Sequence, residues 1–406
     1  MAHHDEYEPL FPKSLPKVNV PFYHCSDIDF CERIPFILTP FANCNIAYYR
    51  DALLMFLGAS VGFDVERFLK QGIVIAISPT ELLLGWGEME FSAGPFENSR
   101  AFYVPDFFLK NEEPFVHFEY TTKMSREDFV ENMGFVEIPA AIRWQTASPL
   151  FFKEQFLYIK ELISLGEIKK AVSVSFEKGE AKTDIDFKRY LLSQLVRSEG
   201  PQKMYGFWNA NEGILGLTPE ILFDMKNKYL IQSMALAGTR GRDDKKRLPL
   251  LSDNKELNEH YLVIDDIVHV LELWGVVKTQ PTEILTLPHL EHLKTEIECK
   301  LRQPKEFIDI VKALHPTPAL GISPRSAAQK WLEQIGIEER GRFGAPFGVR
   351  FEDGTGVCLV AIRNLQWNGN KVLLGAGSGI VRESEFDREW DEQRAKRESV
   401  KKLLGL

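Results

Sequence analysis

Short apolar runs and strict alternation dominate this chain, and helical spacing takes over at a few places. Residues 72–78 (GIVIAIS) and 81–86 (ELLLGW) read as buried strands. Residues 102–108 and 115–120 are aromatic-rich and strand-like, whereas 52–63 fits either a helix or a pair of buried strands. From about residue 150 the punctuation sharpens. Residues 150–165 carry an amphipathic helical pattern closed by Gly166, with Ser148 as N-cap and Pro149 at the first helical position. Residues 170–176 alternate as a strand and 184–197 are helical. Four short strands at 204–208, 213–217, 221–225 and 229–233 predict a meander. Helices follow at 255–274, with Leu262, Ile267 and Leu271 on its apolar side, at 305–314 and at 326–336. Residues 357–366 and 371–375 predict a hairpin around Asn368-Gly369. The charged, Pro-free run 383–404 predicts a last helix.

Two features of this pattern carry chemistry. Gly375, Gly377 and Gly379 are expected to end the strand 371–374 in a turn, where bare backbone N–H groups admit a small anion. Just beyond, Glu389, Glu392 and Lys396 stand at i, i+3 and i+7 of one helix face. Glu256 and Glu259, in KELNEHYLV, repeat the E-x-x-E spacing on another helix. Either pair alone reads as solvated helix charge. Four carboxylates facing one another would repel unless a divalent cation stood between them, and magnesium prefers such oxygen ligands. No repeat, low-complexity tract or flexible linker divides the chain. The pattern predicts one large α/β unit, or two halves closed over a shared site.

Composition narrows the class. The 406 residues are 44% hydrophobic and 26% charged, enough apolar material for a large core. A formal charge of −9 argues against nucleic-acid binding as the main task, and an anionic substrate would need local cations. Cys25, Cys31, Cys44, Cys299 and Cys358 are odd in number and irregularly spaced, which argues against a disulfide framework or a zinc site. Residues 1–17 are polar and acidic without a signal-like apolar core, and no run approaches the ~18 apolar residues of a membrane helix. The expectation is a soluble, cytoplasmic protein with no membrane partner.

Five segments in order, Gly216-Leu217-Thr218-Pro219-Glu220, Leu236-Ala237-Gly238-Thr239-Arg240, His315-Pro316-Thr317-Pro318-Ala319-Leu320, Gly375 to Val381, and Glu389-x-x-Glu392-x-x-x-Lys396, resemble the chorismate-utilising enzymes. The resemblance covers residues 150–404; residues 1–149 match no motif. It implies a single α/β (α+β) fold over 1–406, with two facing β-sheets, helices outside and the site in the cleft between them. It also implies chorismate as a small-molecule substrate, Mg2+ as cofactor and a monomer.

The branches of the family differ at identifiable positions. Lys170 stands where amine-adding branches carry Gln, and resembles the general base of the branch that adds water. Ala237 replaces the nucleophilic lysine of another branch. Phe343, Ile362 and the loop Pro318-Ala319-Leu320 resemble isochorismate synthases rather than salicylate synthases. The implied chemistry has Lys170, kept neutral by burial or neighbouring cations, activate water for attack on ring carbon 2. Glu220, kept protonated, donates to the hydroxyl leaving carbon 4. Glu256, Glu259, Glu389 and Glu392 resemble the metal site. Gly238 and Thr239 resemble ring-carboxylate contacts, and His292 the histidine near the leaving hydroxyl. Arg363 and Lys396, with the backbone at Gly377 and Gly379, resemble contacts to the enolpyruvyl carboxylate. From the residues alone, Lys170 also fits a strand-end surface lysine and Arg363 a structural salt bridge. Departures are a missing second glycine in Gly321-Ile322-Ser323-Pro324, an altered Gly341-Arg342-Phe343-Gly344-Ala345-Pro346, and a short segment between Arg240 and Glu256. Salicylate synthase is the alternative activity, and a silent chorismate binder the alternative class.

Overall fold

The alternating segments pair into antiparallel ladders in the computed structural model of the protein, which describes residues 62–406 apart from 135, 137–139, 243–247, 336–339 and the side chain of 329. The elements begin with α1 (Val65–Lys70), β1 (Gly72–Ala76), β2 (Glu81–Ser92), β3 (Ala101–Tyr103), β4 (Phe115–Ser125), α2 (Arg126–Met133) and β5 (Arg143–Gln145). They continue with α3 (Pro149–Ser164), β6 (Lys170–Glu180), α4 (Ile185–Val196), β7 (Lys203–Trp208), β8 (Glu212–Thr218), β9 (Ile221–Asn227) and β10 (Leu230–Gly241). The last third holds α5 (Asn254–Glu272), β11 (Gly275–Thr279), β12 (Glu283–Thr286), β13 (Leu290–Leu301), α6 (Phe307–Leu314), β14 (Ile322–Ser323), α7 (Ala328–Ile335), β15 (Pro346–Arg350), β16 (Gly356–Val360), β17 (Asn364–Asn368), β18 (Lys371–Ile380) and α8 (Phe386–Leu404). The expected segment 52–63, apart from its last two residues, lies outside the described residues, as do residues 1–17, Cys25, Cys31 and Cys44.

Ser148 caps α3 through Leu150 N, as its sequence signal requires, and Asp184 caps α4 through Phe187 N. The strands form one hydrogen-bonded path, β13-β10-β9-β16-β15-β3-β4-β2-β1-β7-β8-β17-β18-β6. The two facing sheets are the halves of this path folded together. Phe102, Phe347, Val349 and Leu359 of one half pack in one cluster with Ile73, Leu83, Phe207 and Ile214 of the other. Each such buried side chain contributes ~1.5–3 kcal/mol relative to exposure.

Three sequence expectations need correction. The four strands β7 to β10 are two hairpins and not one meander: β7 pairs with β8 and β9 with β10, but β8 pairs onward with β17 and β9 with β16. The glycines do not end a strand in a turn: β18 continues to Ile380, paired residue by residue with β6 through Gly377↔Val174 and Gly379↔Val172. The predicted strand 357–366 is two strands, interrupted by Arg363 at φ 56°.

Helices α5 and α8 bring their acidic pairs inward. In α5, Val263, Ile267, Val270 and Leu271 form the buried stripe, and the same stripe runs toward the N-terminus as Glu259 and Glu256. In α8, Val400 and Leu404 are buried, and the stripe continues back through Arg397, Gln393, Glu392 and Glu389. The glutamates therefore occupy positions that an ordinary amphipathic helix gives to aliphatic side chains.

Candidate active site

A cleft with an empty volume of about 610 Å³, including its mouth, lies where β10, β13 and β18 meet the loops after β8 and β16. Glu220, Gly238, Thr239, Glu259, His292, Phe343, Ile362, Arg363, Gly377, Gly379 and Lys396 all line it. Lys170, Glu256, Glu389 and Glu392 stand behind the lining, and all four are buried.

Lys170 opens β6 with its side chain inward, while Lys169 is exposed. Its Nζ lies 3.0 Å from Glu259 Oε1, at ion-pair distance but outside hydrogen-bond alignment. The charged neighbour in contact is therefore a carboxylate, where the sequence reading expected burial or cations to act on Lys170. Burial pushes Glu259 up, but Lys170 and Lys255 outweigh it and hold the carboxylate at about 2. Glu220, on the wall formed by the turn into β9, is 4% exposed. Burial raises it to about 8, against the pull of Lys170 and Lys396.

The ring-side wall is shaped by a bulge. Gly238 adopts φ 76° where the β10–β13 register shifts between Ala237 and Thr239. Only a residue without Cβ takes that conformation cheaply, and it turns Thr239 toward His292 and Glu256. Thr239 N donates to Glu256 Oε2 at 2.9 Å, and Thr239 Oγ1 lies 3.1 Å from His292 Nδ1. Arg363 Nη2 donates to His292 Nε2 at 3.0 Å. Because a guanidinium has no acceptor, Nε2 carries the lone pair and Nδ1 the hydrogen. Burial and Arg363 hold His292 well below the usual imidazole range, so it is a neutral ring. Arg363 reaches the cleft from its left-handed backbone, a conformation costing ~1–3 kcal/mol in a non-glycine residue. Burial lowers it to about 10, which leaves it cationic. Lys396 Nζ donates to Gly377 O and pairs with Glu392 Oε1, each at 2.7 Å.

The four glutamates do converge, from the facing ends of α5 and α8, but sequence reasoning missed what lies among them. Lys255 Nζ is 3.2 Å from Glu256 Oε1, 3.2 Å from Glu259 Oε2 and 3.0 Å from Glu389 Oε1. Burial opposes its charge, yet Glu259, Glu389 and Glu256 hold it well above the ordinary lysine value. Burial raises Glu256 to about 7 and also raises Glu389, in both cases against Lys255. Glu389 Oε2 is buried without a hydrogen-bond partner. Among the described residues no three acidic, His or Cys side chains stand ready around one point for a metal. The donor chemistry nevertheless suits a hard divalent cation: oxygens only, several carboxylates and one orphaned buried oxygen.

The glycines of β18 fit this crowding. A Cβ on Gly379 would meet Glu259 Oε1 and stand 2.6 Å from Lys170 Cε, and one on Gly375 would stand 2.6 Å from Phe343 Cδ2. Phe343 is fully buried against Phe176 at a ring separation of 5.7 Å.

The sequence model described as "Chorismate binding enzyme" matches residues 110–405. The chain is 33% identical over 223 residues to the salicylate biosynthesis isochorismate synthase of Pseudomonas aeruginosa, covering 53% of this chain and 47% of that protein. It is 26% identical over 280 residues to anthranilate synthase component 1 of Methanothermobacter thermautotrophicus, covering 65% and 59% respectively. The chain thus spans about half the length of the curated relatives it matches. The solved structure of a putative 2,3-dihydroxybenzoate-specific isochorismate synthase from Bacillus anthracis superposes with a TM-score of 0.71 at 22% identity, over 84% of this chain and 100% of that one. At that identity the likeness shows the fold.

Proposed function

The chain belongs to the chorismate binding enzyme family, and on that premise we propose that it is an isochorismate synthase, converting chorismate to isochorismate by adding water at ring carbon 2 with loss of the carbon 4 hydroxyl. One observation carries the reading. A fully buried lysine stands beside the cleft at Lys170, and the cleft wall holds a carboxylic acid at Glu220 that burial keeps protonated to about pH 8. Base and acid on one cavity are what water addition and hydroxyl departure need. Gln at position 170 would serve amine-adding chemistry, and the lysine argues against it.

In this mechanism Lys170, deprotonated, takes a proton from the water that attacks carbon 2. The ring double bond shifts, the carbon 4–oxygen bond breaks, and Glu220 gives its proton to the departing hydroxide, which leaves as water. One water enters and one leaves, so substrate and product are isomers. Proton exchange with solvent resets both groups. Arg363 and Lys396 supply cationic contacts for the enolpyruvyl carboxylate. Neutral His292, fixed by Arg363 and Thr239, lies near the leaving hydroxyl and adds no charge there. Glu256, Glu259, Glu389 and Glu392 would hold Mg2+, whose chemistry there is to offset the acidic floor and bind the ring carboxylate. Phe343 offers no hydroxyl to position the substrate for pyruvate loss, which favours release of isochorismate over salicylate formation.

The test is incubation of the purified protein with chorismate and Mg2+, with products separated by chromatography, with and without an added isochorismate pyruvate lyase. Isochorismate alone, becoming salicylate only with the lyase, supports the proposal. Salicylate without the lyase moves the assignment to salicylate synthase, and no product favours a silent binder.

A further inference from the structure

The structure gives Lys255 a position that the chemistry above does not use. It lies in the first turn of α5, where the Asp253 side chain accepts from the backbone N–H of both Lys255 and Glu256. That cap fixes the turn, and the Lys255 side chain runs inward to 7% exposure. Its ammonium touches three of the four glutamates proposed as metal ligands, at 3.0–3.2 Å. The fourth, Glu392, is taken by Lys396. Every glutamate of the cluster therefore already has an ammonium partner, and the leftover acceptor is the orphaned Glu389 Oε2.

Geometry points the same way. Lys255 Nζ occupies the place where oxygens of Glu256, Glu259 and Glu389 converge, so a cation held by the same three carboxylates needs that place.

We propose that Lys255 is a tethered counter-cation that competes with the divalent metal ion for the carboxylates of Glu256, Glu259 and Glu389, so that the metal binds by displacing it. This rests on the metal reading given above. In the metal-free protein Lys255 keeps the acidic helix ends from repelling each other. It thereby sets the metal affinity lower than the bare glutamate set would give, because only the fraction of molecules with Lys255 released is competent to bind.

The experiment measures Mg2+ binding to the full-length protein by titration calorimetry, for wild type and Lys255→Met. The variant keeps most of the length of the side chain and removes the charge. Binding about tenfold tighter in Lys255→Met is expected. A lower melting temperature without Mg2+, recovered when Mg2+ is added, should accompany it. Equal or weaker Mg2+ binding by a folded Lys255→Met overturns the competition while leaving the metal reading intact. Failure of both proteins to bind Mg2+ overturns the metal reading and the competition with it. A second measurement needs no variant: acylation of Lys255 by an amine-selective reagent, read by peptide mass spectrometry on the wild type. Saturating Mg2+ should raise its modification rate severalfold. An unchanged rate in protein that demonstrably binds Mg2+ refutes displacement.

Discussion

Substituting Gly379 by alanine tests whether the Lys170–Glu259 pair is positioned for chemistry or merely buried. Gly379 has no positive φ, so alanine fits its backbone, and the perturbation is steric alone. The new methyl would collide with Glu259 Oε1 and lie 2.7 Å from Glu259 Cδ and 2.6 Å from Lys170 Cε. Ordinary carbon contacts fall near ~3.5–4.0 Å, so about 1 Å of displacement is required. The atoms that must move are distal parts of two side chains, so the protein relieves much of the strain by shifting them. Stability should fall by only ~1–3 kcal/mol, the usual cost of overpacking. Activity should fall further, because a ~1 Å misplacement of reacting groups can cost about 100-fold. The control is Gly94, outside the cleft lining, where a Cβ meets nothing within 4 Å and φ is not positive. Gly94→Ala should therefore keep wild-type activity and stability. Initial rates of isochorismate formation and thermal melts on both variants decide the matter. Wild-type kcat in a folded Gly379→Ala would refute the claim that this pair forms part of the catalytic apparatus.

Other expectations follow from the same geometry. Glu220 acts in its protonated form, so the pH–rate profile should carry a limb on which kcat falls tenfold per unit above about pH 8. In Glu220→Gln kcat should collapse and this limb should vanish. Lys170→Ala should abolish water addition while the protein stays folded, because Glu259 retains Lys255 as a partner; circular dichroism and product chromatography separate the two effects. Glu259→Gln should weaken Mg2+ binding by about 10- to 100-fold, and an unchanged calorimetric isotherm would remove Glu259 from the ligand set.

Much of this was legible from local signals, and the rest depends on what packs against what. Ser148-Pro149 announces its helix because capping is a matter of neighbouring backbone N–H groups. Lys170 differs from Lys169 by strand alternation alone. The acidic pairs on α5 and α8 share faces by helical spacing, but their burial follows from the aliphatic stripes that continue them. The glycines of β18 were misread because isolated glycine disfavours a strand. Here pairing with β6 through Gly379↔Val172 overrides that preference, and Lys170, Glu259 and Phe343 need the space. Strand β13 was missed although Leu293, Thr295, Ile297, Cys299 and Leu301 alternate across it; charged residues between them obscured the period. Lys255 gave no signal. In sequence it is one charge in a polar helix start, and only the approach of α8 brings Glu389 to it. The left-handed turn at Arg363, which aims the guanidinium at His292, has no glycine or asparagine to mark it.

The most direct test of the proposed reaction follows the oxygen. Chorismate is converted by the full-length protein in water enriched in oxygen-18, and the product is analysed by mass spectrometry with fragmentation. Water addition by Lys170 and Glu220 predicts isochorismate carrying one heavy oxygen, at the ring carbon 2 hydroxyl, with none retained at carbon 4. Isochorismate without label would contradict the account, as would a product formed only when ammonia is supplied.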